Sequence, residues 1–149
     1  MNSTKADASP ALTIRRTFNA PRERVFTAFT DAALLQRWMG PPGSSASNVS
    51  FDARVGGEYR VTFTSPAYGE MTAKGVITAL RRPEHLAYTW LWEEDDAADE
   101  HATSVRIDFI DRGNQTELIF VHDGFVSAES RDRHELGWSG AFAKIEAVL

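Results

Sequence analysis

Between Val49 and His122 large apolar residues alternate with polar or smaller ones, a period of two that half-buried β-strands satisfy and helices do not. Tyr59, Val61 and Phe63 alternate with Arg60, Thr62 and Thr64; Leu86, Tyr88, Trp90 and Trp92 alternate with Ala87, Thr89 and Leu91. Val105, Ile107 and Phe109 alternate with Ser104, Arg106 and Asp108, and Leu118, Phe120 and His122 close the series. The intervening "RVGG", "SPAYG", "RRPE" and "DRGNQ" carry Gly, Pro, Asp or Asn where a chain reversal needs them, so the strands are expected to run antiparallel. Each strand has one large apolar face, and a sheet built this way must cover that face.

The element left to cover it is the C-terminal "HELGWSGAFAKIEAVL", where Trp138, Phe142, Ile145 and Leu149 mark one apolar helical stripe. Gly137 and Gly140 interrupt it at a cost of roughly 1 kcal/mol each. Upstream, Leu12, Ile14 and Phe18 mark a first strand, and Pro21 fits the first turn of a short helix with Val25, Phe26 and Phe29 on its apolar face. Asp31 is placed to cap a second short helix that runs through Leu34 and Leu35 to Trp38 and stops at "GPPG". The fold class is therefore α+β: a strand, two short helices, about six strands and a long C-terminal helix. A twisted sheet cannot touch a straight helix along its whole length, so a cavity is expected near one end. Trp138 would roof it and Gly137 would leave it volume, while Gly140, Ala143 and Ala147 form a small-residue flank for close approach.

Several classes of function are disfavoured. A length of 149 residues suits one domain, read as 12–149 behind a polar, disordered leader at 1–11. A net charge of -5 has the wrong sign for a phosphate-neutralising, nucleic-acid-binding protein. Cysteine is absent, no signal-peptide core is visible and no apolar run approaches the ~18 residues of a membrane span, so a cytoplasmic location without membrane insertion is expected. The acidic "EEDDAADEHA" reads as a solvated hairpin loop. His85, His101, His122 and His134 are assigned to a turn, that loop, a strand end and a helix start, without metal-ligand spacing. There is no G-x-S-x-G elbow, "GPPGSSASN" lacks a phosphate-loop lysine, and "RVGGEYR" is not a dinucleotide fingerprint. No metal or cofactor is implied.

Aromatic residues are the informative class. Four Trp, three Tyr and nine Phe exceed what a small core needs, and Trp and Tyr each carry a polar atom that wants a partner when buried. The residues expected to contact a ligand are Trp38, Tyr59, Phe63, Met71, Trp90, Trp92, Phe109, His122, Phe125, Trp138 and Phe142. His122 faces inward, either as a satisfied structural histidine, as a polar ligand contact, or as a general base. Of these the structural role is the default.

"APRERVFTAFTDAALLQRWMGP", "VSFDARVGGEYR", "GVITALRRPEHLAYTWLW", "TELIFVHDGF" and "HELGWSGAFAKIEAVL", in that order, resemble the signatures of Aha1-type proteins (activator of Hsp90 ATPase homologue, C-terminal-domain-like) of the START/Bet v 1-like, or SRPBCC, superfamily. The resemblance implies a helix-grip fold: a seven-stranded antiparallel sheet around a long C-terminal helix, with a hydrophobic tunnel between them. Relatives in that superfamily include lipid and hapten binders, polyketide cyclases and co-chaperone domains, and fold does not choose among them. The second domain that accompanies this module in the eukaryotic co-chaperone has no counterpart in these residues, which weighs against direct Hsp90 activation. Three readings follow: a noncatalytic binder of a small apolar or aromatic molecule, which leads; a cyclase or dehydratase using the same cavity; and a chaperone-linked or other interaction module. Homodimer formation is compatible with all three.

Overall fold

A computed structural model describes residues 10–41, 43–66, 69–93 and 102–149. Seven strands, β1 (Ala11–Phe18), β2 (Ser45–Phe51), β3 (Glu58–Ser65), β4 (Gly69–Arg81), β5 (His85–Trp92), β6 (Thr103–Arg112) and β7 (Gln115–Asp123), form one antiparallel sheet in the order β1-β7-β6-β5-β4-β3-β2. Three helices accompany it: α1 (Arg22–Thr30), α2 (Ala32–Trp38) and α3 (Ala128–Ile145), the last followed by a 3-10 turn at Glu146–Val148. Register shifts at Ala46/Asn48 in β2 and Ile77/Ala79 in β4 are the irregularities by which a sheet of this kind curves.

The period-two residues of β3, β5, β6 and β7 are buried as the alternation requires, except Trp92, which is half-buried at the end of β5. Asp31 caps α2, its carboxylate accepting from Leu34 N–H at 3.2 Å. Pro21 occupies the N-cap of α1 rather than its first turn; its carbonyl accepts from Arg24 and Val25. β2 begins four residues before Val49, because Ser45 and Ala46 pair with Thr64 and Phe63 despite their weak strand propensity. His85 opens β5 rather than lying in a turn, with its Nδ1 2.8 Å from Asp108. Ala11, assigned to the leader, pairs with Asp123; the rest of the leader except Pro10, and most of the acidic tract with His101, lie outside the described residues.

One close approach was not legible in the pattern. At Gly75 in β4 a Cβ would lie 2.7 Å from the Tyr59 ring and closer still to the Thr89 carbonyl. Glycine there lets Tyr59 cross the sheet and donate its hydroxyl to Thr89 O.

α3 is longer and earlier than the C-terminal stripe suggests. Ser127 starts it, its hydroxyl accepting from Ser130 N–H at 3.1 Å, so His134 lies in the second turn. At the other end the helix stops at Ile145, and Leu149 lies beyond the 3-10 turn, partly buried, with its carbonyl accepting from Arg24. Ala143 and Ala147 are exposed, so the small-residue flank does not approach the sheet.

The C-terminal half of α3 is packed tightly. Phe142 is fully buried, with its ring 5.1 Å from Phe120, 5.9 Å from Phe29, 6.1 Å from Trp38 and 6.5 Å from Phe18. Its N-terminal half is different.

Candidate functional site

Between the first turns of α3 and the β3–β6 part of the sheet lies a cavity of about 860 Å³. Phe63, Met71, Trp90, Trp92 and Thr103 line it from the sheet, and Ser130, Arg133, His134, Gly137, Trp138 and Ala141 from the helix. Met39, Gly40 and Pro41, which follow α2, form a third side, and Phe125 and Val126 form a fourth. Its place follows from the packing: one end of the helix is held against aromatic core, and the curved sheet falls away from the other.

Six of the eleven expected contact residues meet here: Phe63, Met71, Trp90, Trp92, Phe125 and Trp138. The other five do not form its wall. Trp38 is buried behind α2 with its indole N–H donated to Ala28 O at 2.8 Å, and Tyr59 is turned toward Thr89. Phe109 packs against Phe26 and Phe29 at 5.0 and 5.4 Å, and Phe142 lies in the core. His122 sits one layer beneath the cavity. Alternation identified the inward face of each strand but not how far along that face the helix fills the space. His134 was not among the eleven. Its signal was present: it precedes Trp138 by four residues and so shares its helix face.

Gly137 lines the cavity, and a Cβ there would meet only Pro41 Cβ, at an ordinary 3.7 Å. The absent side chain therefore leaves room in the cavity rather than relieving a clash.

Two tryptophan–histidine hydrogen bonds join helix to sheet behind this space, running in opposite directions. Trp138 of α3 donates Nε1–H to His122 Nδ1 on β7 at 3.0 Å, and Trp92 of β5 donates Nε1–H to His134 Nε2 on α3 at 2.9 Å. An indole N–H only donates, so both accepting nitrogens carry lone pairs. The remaining nitrogens are then N–H donors: His134 Nδ1 to Ser130 O at 2.8 Å, and His122 Nε2 to Thr103 Oγ1 at 2.6 Å. Thr103 passes its own proton to Trp90 O at 3.0 Å. Both imidazoles are neutral and fully engaged. Burial, together with the neighbouring His134, lowers the His122 pKa to about 2; burial foremost, with Arg133, lowers that of His134 against the opposing Ser130 bond. The two rings are 5.4 Å apart, and Phe125 packs against both, at 4.3 and 4.8 Å.

Neither ring offers an unoccupied lone pair, so neither is arranged as a general base. Among the described residues no group of three or more His, Asp or Glu converges in metal-binding geometry. The cavity can exclude water from an apolar body; the charged side chains in its described lining, Glu129 and Arg133, are exposed and lie 3.9 Å from each other.

A seven-stranded antiparallel sheet gripping a C-terminal helix, with an aromatic cavity between them, defines the START/Bet v 1-like class. The chain belongs to the family described as activator of Hsp90 ATPase homolog 1-like protein, whose model matches residues 19–149. Solved structures agree. It is similar to protein CV1439 from Chromobacterium violaceum, with 29% identity and a TM-score of 0.83 over 93% of this chain and 95% of that one. The AHSA1 protein from Silicibacter pomeroyi is similar at 25% identity and a TM-score of 0.81, covering 93% of this chain and 96% of its own. Protein Ms6760 from Mycobacterium smegmatis shows 26% identity and a TM-score of 0.78 over 93% and 90%. No curated protein matches the sequence.

Proposed function

We propose that the chain is a noncatalytic holder of one small, largely apolar molecule, bound between the sheet and the N-terminal half of α3. The observation that carries this is the cavity of about 860 Å³ walled by Phe63, Met71, Trp90, Trp92, Phe125 and Trp138. Withdrawing ~200 Å2 of apolar ligand surface from water contributes about 5 kcal/mol at ~25 cal/mol per Å2, before the cost of immobilising the ligand. Exposed Val126 and Leu136 stand on the rim, where an entering apolar ligand first meets the protein. Full engagement of His122 and His134 favours holding over the cyclase or dehydratase alternative.

Gly137→Leu tests the reading because its two effects have opposite signs. Leucine at a helix-interior glycine favours the helix by up to about 1 kcal/mol, and its side chain beyond Cβ must enter the cavity. Titration with the fluorescent probe N-phenyl-1-naphthylamine should show affinity at least tenfold weaker in the variant, with a thermal midpoint equal to or above that of the parent. Equal affinity in the two proteins would remove the cavity as the binding site.

A further inference from the structure

The two histidines carry matching bonds but differ in access. His122 is fully buried beneath the cavity, whereas His134 is half-buried and forms part of its lining. Water that fills the cavity therefore reaches the His134 ring, and an apolar guest that fills it drives that water out. The geometry leaves one atom for a further proton. Nδ1 of His134 already donates to Ser130 O, so the proton must go on Nε2, which accepts from Trp92 Nε1–H at 2.9 Å. Two N–H groups would then face each other, and the bond between β5 and α3 would be lost.

Little around the ring would compensate the new charge. On α3 the neighbouring charge is another cation, Arg133, itself 3.9 Å from Glu129; Arg131 is paired with Asp132 at 3.0 Å, and Glu135 is exposed. From the sheet, β7 presents His122, 5.4 Å away and uncharged, and β5 presents Trp92; Phe125 packs on the ring at 4.8 Å. Solvation of an imidazolium here falls to the water in the cavity, and burial already holds the ring's pKa below its ordinary value. We propose that a proton on His134 and the apolar guest exclude each other, so that acid releases the guest from a protein that stays folded. By linkage the two effects are one: a guest that removes the water makes the proton harder to add, and the proton weakens the guest by the same factor. This rests on the holding function proposed above and supplies its regulation. His122 takes up no proton in the same range, since its pKa lies at about 2.

The test is a fluorescence titration with N-phenyl-1-naphthylamine, which stays neutral throughout, at pH 7.5 and pH 5.0. Affinity for the native protein should fall ~3- to 10-fold at the lower pH, with the far-ultraviolet circular dichroism unchanged. His134→Gln keeps an acceptor for Trp92 and cannot become charged, so its affinity should be the same at both pH values. Glu129→Gln, which removes a carboxylate from the lining, should keep the native fall. In 1H–15N spectra of the native imidazole nitrogens, His134 should protonate at lower pH with the probe bound than without it, a measurement that holds if His134→Gln fails to fold. Equal native affinity at the two pH values, a fall that persists in His134→Gln or vanishes in Glu129→Gln, loss of the folded spectrum at pH 5.0, or a His134 titration unmoved by the probe overturns the proposal and leaves the holding function standing. Absence of probe binding at pH 7.5 removes both.

Discussion

His122 is where the residue-scale chemistry is most constrained. Its ring accepts from Trp138 and donates to Thr103, which requires one neutral tautomer; a second proton on Nδ1 would face the Trp138 N–H. An unfolded histidine takes that proton near pH 6.5, whereas the folded one resists it down to about 2. The unfolded state therefore binds more protons throughout that window, so the stabilisation is complete above pH 6.5 and is lost as pH falls toward 2. Urea denaturation should show His122 alone lowering stability by about 1.4 kcal/mol between pH 7.5 and 5.5, with His134 adding in the same direction. His122→Leu should cost ~1–3 kcal/mol at pH 7.5, because the Trp138 N–H loses its acceptor, and should flatten the acid slope. An unchanged slope in that variant would mean that burial does not hold His122 neutral.

The element that decides the function is α3, whose two halves are held differently. From Trp138 onward it is anchored by many ring contacts, including Phe120 at 4.7 Å; before Trp138 it is held by the Ser127 cap and at His134, which accepts from Trp92 and packs against Phe125 at 4.8 Å and His122 at 5.4 Å. Backbone amides of residues 131–136 should therefore exchange with solvent faster than those of residues 139–145, and bound N-phenyl-1-naphthylamine should slow the former selectively. Uniform protection along the helix would argue against a stand-off at its N-terminal half. A double-mutant cycle with Trp92→Phe and His134→Leu should return a coupling of ~0.5–1.5 kcal/mol; a value near zero would show that the bond does not latch the helix. The sequence exposed the strongly periodic part of α3, around Trp138, Phe142 and Ile145, and concealed its first six residues. "AESRDR" is polar all round because it covers a void and solvent, so it produces no stripe, and only Ser127 marks the start.

At the scale of the whole molecule, the sheet, its antiparallel order and the covering helix were legible because alternation over Tyr59–Phe63, Leu86–Trp92, Val105–Phe109 and Leu118–His122 leaves one face to bury. The position of the cavity was only half legible. Periodicity assigns a residue to a face, whereas the division between Phe142 in solid core and Trp138 on a cavity wall arises from curvature and from the 39–41 segment, features that no local window of sequence contains. The same limit hid how the indoles are held, which appears only when the N–H of Trp38 is traced to Ala28, that of Trp92 to His134 and that of Trp138 to His122. The central claim, that an apolar guest sits between sheet and helix, concerns a location and is best tested by one. Met39 and Met71 face the cavity from different elements, so methionine methyl labelling provides two reporters inside it. With N-phenyl-1-naphthylamine bound at 1:1, both methyls should show intermolecular nuclear Overhauser effects to the probe. A bound probe in contact with neither methyl would place the guest elsewhere and contradict the account.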